Sequence, residues 1–303
     1  MIGRPAESIV TRHGAAGAVD GHVHVFDPRF PFAEARSYTP PAATVDDLRA
    51  HLASLGVDRA VLVQPSVYGD DNRALLDTLE QLGPTTARGI AVIDPATVTD
   101  DQLRTLRDAG VVGVRVNLHT KGEDRAQAVV AAVAQTAQRV APFDMVVQIY
   151  ADLALVAALE DTIAASPVPV VLDHFAGARV EPGRSESNRA PPGHAALIRL
   201  LGDGRVWIKL SAPYRAARQA PDYPELAPLA RTLITTNPDR LVWASDWPHT
   251  GGGDERQGRK PTDIEPFRQV DDARTLALLA AWAGDDATRT KILVDNPARL
   301  FRF

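Results

Sequence analysis

Near its N-terminus the chain reads Ala18-Val19-Asp20-Gly21-His22-Val23-His24-Val25-Phe26-Asp27. The apolar residues around the two histidines are typical of a buried β-strand. Because successive side chains of a strand point to opposite faces, His22 and His24 point the same way from the end of one strand. Alone the pair is weak evidence of a functional site, because such a pair more often lies on a protein surface without a functional role. Its value depends on whether acids, bases and cations from other segments converge on the same place.

Seven further short apolar segments follow this strand, and segments of helical periodicity separate them. The predicted strands are 18–25, 59–64, 88–93, 111–117, 145–150, 168–173, 206–210 and 241–244. The predicted helices are 45–55, 71–82, 100–109, 124–140, 153–164, 194–201, 224–235 and 271–283, with Thr44, Asp70 or Asp71, and Thr99 as N-caps. The strands are nearly continuous in Val, Ile and Leu, as in a parallel sheet buried on both faces. Eight βα units predict a single (β/α)8 TIM barrel over residues 18–303, preceded by a loose arm of residues 1–17.

Composition excludes several classes of protein. The 303 residues are 45% hydrophobic and 23% charged, and the net charge of −5 gives no indication of a nucleic-acid or membrane partner. The chain has no cysteine, which excludes disulfides, thiolate catalysis and cysteine-ligated zinc. No apolar run approaches a membrane span and no strand is followed by a nucleotide-binding glycine motif. We expect a cytoplasmic protein, and its assembly as a homo-oligomer is left open.

The long connections follow the first, sixth, seventh and eighth predicted strands, at 26–43, 175–193, 211–223 and 246–270. In a (β/α)8 barrel such βα loops gather at the carboxyl face, where barrel active sites lie. Polar residues end the strands at that face, and burying them is costly unless they are paired or used. We predict one site formed from His22, His24, Gln64, Ser66, Tyr68, Arg115, Asn117, His119, Gln148, Tyr150, Asp173, His174, Lys209, Ser211, Tyr214, Arg215 and Asp246.

Some of these positions have two interpretations. Gln64 is better interpreted as a hydrogen-bonding support for a loop backbone than as a catalytic residue. Lys209 points inward only if the alternation of its strand turns it that way, and a shift of one residue exchanges Asp173 with His174. Asp20 either orients a histidine or lies buried at the barrel floor.

The pattern resembles the amidohydrolase superfamily, and more closely its 2-pyrone-4,6-dicarboxylate lactonase branch. The His-x-His pair together with an aspartate after the eighth strand is specific to the superfamily, and the remaining segments favour this branch. The resemblance spans almost the whole chain, through 20–24, 63–66, 113–115, 172–174, 209–211, 245–249 and 296–301.

The resemblance implies a distorted (β/α)8 barrel and a set of roles. Asp246 would be the general base that takes a proton from the attacking water. The scissile carbonyl would be polarised by His22, His24 and His174. The acidic and hydroxyl groups of a small lactone would be bound by Arg115, Arg215, Tyr150 and Ser66.

The expected cofactor follows from two positions. Two-metal members of the superfamily need a bridging carboxylate or carbamylated lysine after strand 4, where this chain has Arg115. One-metal members add a histidine after strand 5, where this chain has Tyr150. We therefore expect no required metal, with one Zn²⁺ held by His22, His24 and Asp246 as the alternative.

The predicted function is a hydrolase that opens a small carboxylated lactone in aromatic-acid or sugar-acid catabolism. The candidate substrates are a 2-pyrone-4,6-dicarboxylate-like lactone, a muconolactone-like lactone or a sugar-acid lactone. The alternative is a metal-dependent decarboxylase of a phenolic acid on the same barrel. A non-enzymatic protein that binds small acids is a third hypothesis, which the complete acid–base set disfavours.

Overall fold

The computed structural model describes residues 14–116, 125–181, 193–252, 256 and 258–303, with Arg125 described as backbone alone. Residues 1–13 of the predicted arm lie outside the described residues, as do Asn117 and His119 of the predicted site.

Eight parallel strands form one sheet whose strand order follows the chain, which confirms the predicted barrel. Each strand pairs in parallel with the next, from the first pair to the seventh. The strands are β1 (Val19–Val23), β2 (Arg59–Val63), β3 (Ala87–Ala91), β4 (Val111–Val116), β5 (Val146–Ile149), β6 (Val170–Leu172), β7 (Val206–Ser211) and β8 (Leu241–Ala244).

Helices follow each strand, as the alternation predicts, and the predicted helix 153–164 is divided into two. The helices are α1 (Val45–Leu55), α2 (Arg73–Leu82), α3 (Asp100–Asp108), α4 (Arg125–Val140), α5 (Leu153–Ala158), α6 (Glu160–Ala164), α7 (His194–Gly202), α8 (Pro213–Ala216), α9 (Ala227–Thr236), α10 (Asp272–Ala283), α11 (Asp286–Thr290) and α12 (Asn296–Phe301). Among the described residues no helix is both long enough and apolar enough to cross a bilayer.

Helix caps follow the sequence closely in two of three cases. Thr44 and Thr99 each accept a hydrogen bond from the first turn of α1 and α3 and form capping boxes. The third predicted cap is wrong, since α2 begins after Asn72 and not after Asp70 or Asp71.

The β1–β8 seam closes the barrel through backbone bonds that lie beside the predicted site. The amide of Asp246 donates to the carbonyl of His22 at 3.0 Å, and the amide of His24 donates to the carbonyl of Trp247 at 2.8 Å. The register of β1 against β2 shifts between Asp20 and Val23. This irregularity makes the barrel a distorted one.

A buried carboxylate completes the seam. Oδ1 of Asp20 accepts from the amide of His22 at 3.2 Å and from the amide of Ser245 at 3.0 Å. Its other oxygen lies 3.5 Å from Nε2 of His51. Asp20 therefore joins the backbones of the first and eighth strand ends, and it does not contact the ring of His22 or His24 in these hydrogen bonds.

The barrel interior is apolar at the amino ends of the strands and polar at their carboxyl ends. Inward residues of the strands pack there with Leu300 and Phe301 of α12, which close that end. Lys209 lies above this layer, with its ammonium nitrogen 5.9 Å from the ring centroid of Phe301. The polar strand ends are thus confined to the opposite, carboxyl face.

Candidate active site

Asp246 lies at the centre of the polar face. It follows β8 in a left-handed conformation (φ 69°), and only 1% of it is exposed. Its Oδ2 accepts from the hydroxyl of Tyr214 at 2.7 Å and from Nε of Arg215 at 2.9 Å. Burial acts to raise the pKa of Asp246, but Arg215 and then the neighbouring histidines hold that pKa well below its usual range. Asp246 is therefore an ionised carboxylate.

Three imidazoles converge on the other oxygen of this carboxylate. Oδ1 of Asp246 lies 3.6 Å from Nε2 of His22, 3.6 Å from Nε2 of His24 and 3.7 Å from Nε2 of His174. The first two nitrogens lie 3.2 Å apart, as expected for side chains on the same face of a strand. The structure thus brings together all four predicted catalytic residues around one oxygen.

His174 reaches this position because the chain turns sharply after β6. His174, Phe175 and Ala176 all adopt left-handed conformations, with φ of 50°, 54° and 56°. Nδ1 of His174 lies 2.8 Å from Oγ of Ser211. Burial lowers the pKa of His174 to about 4 against the opposing effect of Asp246, so its ring is neutral at neutral pH. The turn also resolves the strand-parity question, because Asp173 and His174 both face inward.

A fully buried charged network lies beneath His22. Nζ of Lys209 donates to Oε1 of Gln148 at 2.7 Å and lies 3.4 Å from Oδ1 of Asp173. Nε2 of Gln148 donates to the other oxygen of Asp173 at 3.0 Å. Nδ1 of His22 lies 3.2 Å from Nζ of Lys209 and 3.2 Å from Oδ1 of Asp173. Lys209 therefore points inward.

Burial shifts the pKa values of the groups in this network. It lowers the pKa of Lys209 to about 8, with Asp173 opposing the shift, so the ammonium form predominates at neutral pH. Burial and then Lys209 hold the pKa of His22 well below its usual range. Burial acts to raise the pKa of Asp173, but Lys209 and His22 keep that pKa well below its usual range. The network is thus an ion pair next to a neutral imidazole.

The predicted carboxylate-binding residues occupy a neighbouring part of the face. Nη1 of Arg115 lies 3.5 Å from the carbonyl of Gln64, and its buried Nε has no hydrogen-bond partner among the described residues. Burial raises the pKa of Tyr38, against the effects of Arg256, Ser66, Arg115 and Arg215. Three arginines therefore contribute positive charge at the phenol of Tyr38.

Tyr38 and Arg256 were not predicted to belong to the site. The guanidinium carbon of Arg256 lies 4.0 Å from the ring centroid of Tyr38, and its Nε donates to Glu265 at 2.8 Å. Both residues lie in the long loops after β1 and β8, where no periodicity marks the residues that turn inward. In the sequence, their position in two long βα loops is the one feature that could have identified them as site residues.

The remaining predicted residues lie at the edge of the face or support it. Tyr150 is 46% exposed, and its ring meets His174 edge-on with centroids 5.4 Å apart, at the mouth of the site. Nε2 of Gln64 donates to the carbonyl of Asp71 at 2.8 Å, which is the predicted loop support. His249, for which the sequence offers no partner, lies 2.8 Å from Asp272 through Nε2 and 3.4 Å from the Tyr214 hydroxyl through Nδ1.

The same donors fit one divalent cation. Ligand atoms of His22, His174 and Asp246 lie within 4.8 Å of one another, and Nε2 of His24 adjoins them. Nδ1 of His24 lies 2.8 Å from the carbonyl of Val63, an arrangement that leaves the lone pair of Nε2 facing the cluster. The donor set thus includes His174 beside the predicted His22, His24 and Asp246. An ion bound there would act as a Lewis acid on a carbonyl oxygen.

The arrangement combines a base with hydrogen-bonding groups. A water molecule beside Oδ1 of Asp246 would face an ionised acceptor, and a carbonyl oxygen beside the imidazoles would face ring N–H groups. The arginines supply positive charge for acidic groups of a bound molecule. This set is suited to attack of water on an ester of a small acid.

Comparisons with known proteins agree with this geometry. A family model described as "Amidohydrolase" matches residues 19–303. The 4-sulfomuconolactone hydrolase of Rhizobium radiobacter is 36% identical over 94% of this chain and 90% of its own length. The 2-pyrone-4,6-dicarboxylate hydrolase of Comamonas testosteroni is 33% identical over 94% of this chain and 90% of its own length.

A solved structure extends the likeness to three dimensions. The probable 2-pyrone-4,6-dicarboxylic acid hydrolase of Acinetobacter baumannii, solved with citric acid bound, is 26% identical and superposes with a TM-score of 0.72. The match covers 95% of this chain and 100% of that chain.

Proposed function

The chain belongs to the amidohydrolase family, and we propose that it is a hydrolase that opens a small carboxylated lactone. One observation carries the proposal. A buried, ionised Asp246 presents one oxygen within 3.7 Å of three imidazole nitrogens while its other oxygen is held by Tyr214 and Arg215. A single carboxylate so placed can accept a proton beside groups that stabilise an oxyanion.

The proposed reaction begins with the attack of water. The water oxygen bonds to the lactone carbonyl carbon while Oδ1 of Asp246 takes one water proton. The carbonyl oxygen becomes an oxyanion, which accepts hydrogen bonds from His22 and His174. The ring C–O bond then breaks, and the leaving oxygen takes the proton from Asp246. The product is a hydroxy acid, or an enol acid where the leaving oxygen is attached to a ring double bond.

Substrate recognition is proposed to depend on the arginine side of the face. Arg115 has a buried Nε without a partner among the described residues, and a carboxylate of the lactone would supply the missing acceptor. Ser66 would donate to the same group, and Tyr150 would cover the ring at the mouth. The names of the two curated relatives specify lactones that bear sulfonate or carboxylate groups, which agrees with such a subsite.

We further propose that this reaction needs no metal, with one bound Zn²⁺ as the alternative. Arg215 contacts Asp246 directly, and the buried Lys209 ammonium lies 3.2 Å from His22, so a divalent cation would enter beside two positive charges. Activity that persists after treatment with a chelator supports the proposal. Activity lost to the chelator and restored by Zn²⁺ favours the alternative.

The test is turnover of a panel of lactones. The panel holds 2-pyrone-4,6-dicarboxylate, 4-sulfomuconolactone, muconolactone and an aldonolactone acid, and the enzymes are the wild type, Asp246→Asn and the loop control Asp94→Asn. We expect turnover by the wild type and the control and a loss of at least about 1000-fold in Asp246→Asn. Full activity of Asp246→Asn refutes the assignment of the base. Release of CO₂ from a phenolic acid, with no lactone opened, refutes the proposed function.

A further inference from the structure

We propose that the ammonium group of Lys209 determines which ring nitrogen of His22 carries the proton, so that His22 presents an N–H rather than a metal-binding lone pair to the substrate. Lys209 is then a positioning residue that acts through His22. The expected effect on kcat rests on the proposed lactone hydrolysis. The expected tautomer of His22 does not depend on it.

The argument starts at the neighbouring histidine. Nδ1 of His24 lies 2.8 Å from the carbonyl oxygen of Val63. A carbonyl oxygen can only accept, so Nδ1 of His24 must carry a proton. In the neutral ring, Nε2 of His24 is then a lone pair.

That lone pair indicates which tautomer of His22 the structure contains. Nε2 of His22 lies 3.2 Å from Nε2 of His24, within hydrogen-bond distance. Since His24 offers a lone pair at this contact, the hydrogen bond requires the proton on Nε2 of His22. Nδ1 of the neutral His22 ring is consequently an acceptor.

Two groups compete for this acceptor nitrogen from below. Nζ of Lys209 and Oδ1 of Asp173 each lie 3.2 Å from Nδ1 of His22. The ammonium can donate to Nδ1, whereas the carboxylate can only accept from it. Oδ1 of Asp173 also lies 3.4 Å from Nζ of Lys209, so its charge is balanced without a proton from His22. Donation from Lys209 therefore accompanies the Nε2–H tautomer, and Asp173 would stabilise the opposite one.

The two tautomers give His22 two different functions. With the proton on Nε2, His22 has an N–H that can exchange its bond to His24 for one to the developing oxyanion of the lactone. With the proton on Nδ1, held by Asp173, its Nε2 lone pair completes a carboxylate–histidine arrangement that orients metal ligands. Lys209 thus favours the hydrogen-bonding function over the metal-binding one, and its replacement should favour metal binding.

The direct test is the tautomer of His22 in the ligand-free protein. Two-bond ¹H–¹⁵N correlation spectra of protein labelled at its 8 histidines distinguish Nδ1–H from Nε2–H rings, and His22→Gln assigns the signal. We expect Nε2–H in the wild type and in the surface control Lys291→Met, and Nδ1–H in Lys209→Met. A wild-type spectrum that shows Nδ1–H overturns the proposal, as does an unchanged tautomer in Lys209→Met.

Zinc binding and kinetics provide two further measurements. In Lys209→Met we expect the Zn²⁺ dissociation constant from titration calorimetry to fall at least tenfold, and kcat to fall by 10- to 100-fold with KM changed less than threefold. An unchanged zinc affinity contradicts the inference. If Lys209→Met does not fold, Asp173→Asn, which keeps the ammonium, is measured instead. It should retain the Nε2–H ring of His22, and an Nδ1–H ring in this variant contradicts the inference. The spectra and the zinc affinity do not depend on lactone turnover, so failure of the proposed function is recognised separately.

Discussion

The hydroxyl of Tyr214 donates a 2.7 Å hydrogen bond to one oxygen of Asp246, and this bond leaves the other oxygen to the three histidines. The two oxygens of one carboxylate thereby have different surroundings. Oδ2 is held in place by Tyr214 and Arg215, whereas Oδ1 faces the imidazoles where water and substrate would bind. The orientation of the base is thus set by two residues of α8, the short helix that follows β7.

Removal of this hydroxyl should lower kcat without unfolding the protein. A hydrogen bond to a charged group contributes about 1.5–3 kcal/mol, so we expect kcat of Tyr214→Phe to fall about 10- to 100-fold. The matched control is Tyr68→Phe. Although Tyr68 was predicted to belong to the site, its hydroxyl bonds to the backbone of Asp27 and, among the described residues, to no catalytic side chain. The control should lose stability while it keeps kcat, and equal kcat in both variants would show that Tyr214 does not orient the base.

The two arginines should differ in their effects on different substrates. Arg215 contacts Asp246, so Arg215→Met should lower turnover of carboxylated and neutral lactones alike. Arg115 makes no contact with the base, so Arg115→Met should lower kcat/KM about 100-fold for carboxylated lactones only. Comparison of the two variants on a carboxylated lactone and its methyl ester measures this difference. Equal losses on both substrates in Arg115→Met would assign Arg115 a structural role.

Acid should affect stability before it affects the base. The pKa of His174 is about 4 in the folded protein and about 6.5 in an unfolded chain. The unfolded chain therefore binds this proton first as the pH falls from 6.5 to 4, and the free energy of unfolding falls by about 3 kcal/mol over that window. Urea unfolding of the wild type and of His174→Gln at several pH values checks this, and the variant should show a smaller fall.

The pH profile of activity should lack the protonation step of an ordinary aspartate. Because Arg215 and the histidines keep the pKa of Asp246 well below its usual range, Asp246 stays ionised at pH 4–5. We expect kcat/KM to remain constant down to the pH at which the protein unfolds. A fall in kcat/KM near pH 5, in protein that circular dichroism shows to be folded, would count against Asp246 as the base.

Asp20, whose carboxylate lies at the β1–β8 seam, should contribute more to stability than a surface carboxylate does. Asp20→Ala leaves two buried amides, those of His22 and Ser245, without an acceptor, and we expect unfolding to become easier by about 2–5 kcal/mol. Asp58→Ala is the control, because Asp58 accepts from the exposed amide of Gly17. A loss below about 1 kcal/mol in both variants would show that Asp20 is not needed for closure.

Much of this architecture can be predicted from local sequence because strand and helix periodicities repeat eight times. The spacing of His22 and His24 and the position of Asp246 after the last strand follow from such periodicities. The orientation of His174 does not, because three successive left-handed residues place it, and only tertiary packing stabilises that conformation. Tyr38 comes from a long loop without periodicity, which is why local pattern could not identify it.

The contacts between side chains were also beyond prediction. The sequence predicts that Lys209 faces inward only if the alternation of its strand is read correctly. Its contacts with His22, Asp173 and Gln148 form because the barrel brings separate strands together. The bond between Arg215 and Asp246 likewise joins α8 to the segment after β8. Such pairings depend on the relative heights of neighbouring strands, and a one-residue difference in register changes them.

The seam between β1 and β8 has a consequence for how the protein comes to be active. Asp20 and Ser245 meet across 225 positions of the chain, and His22 and Asp246 meet beside them. Contacts of such long sequence separation form late, because the entropy of closing the loop must be overcome first. The ribosome must therefore extrude the chain at least as far as Asp246 before the base can meet its histidines, and the appearance of activity during refolding would report when β1 and β8 pair.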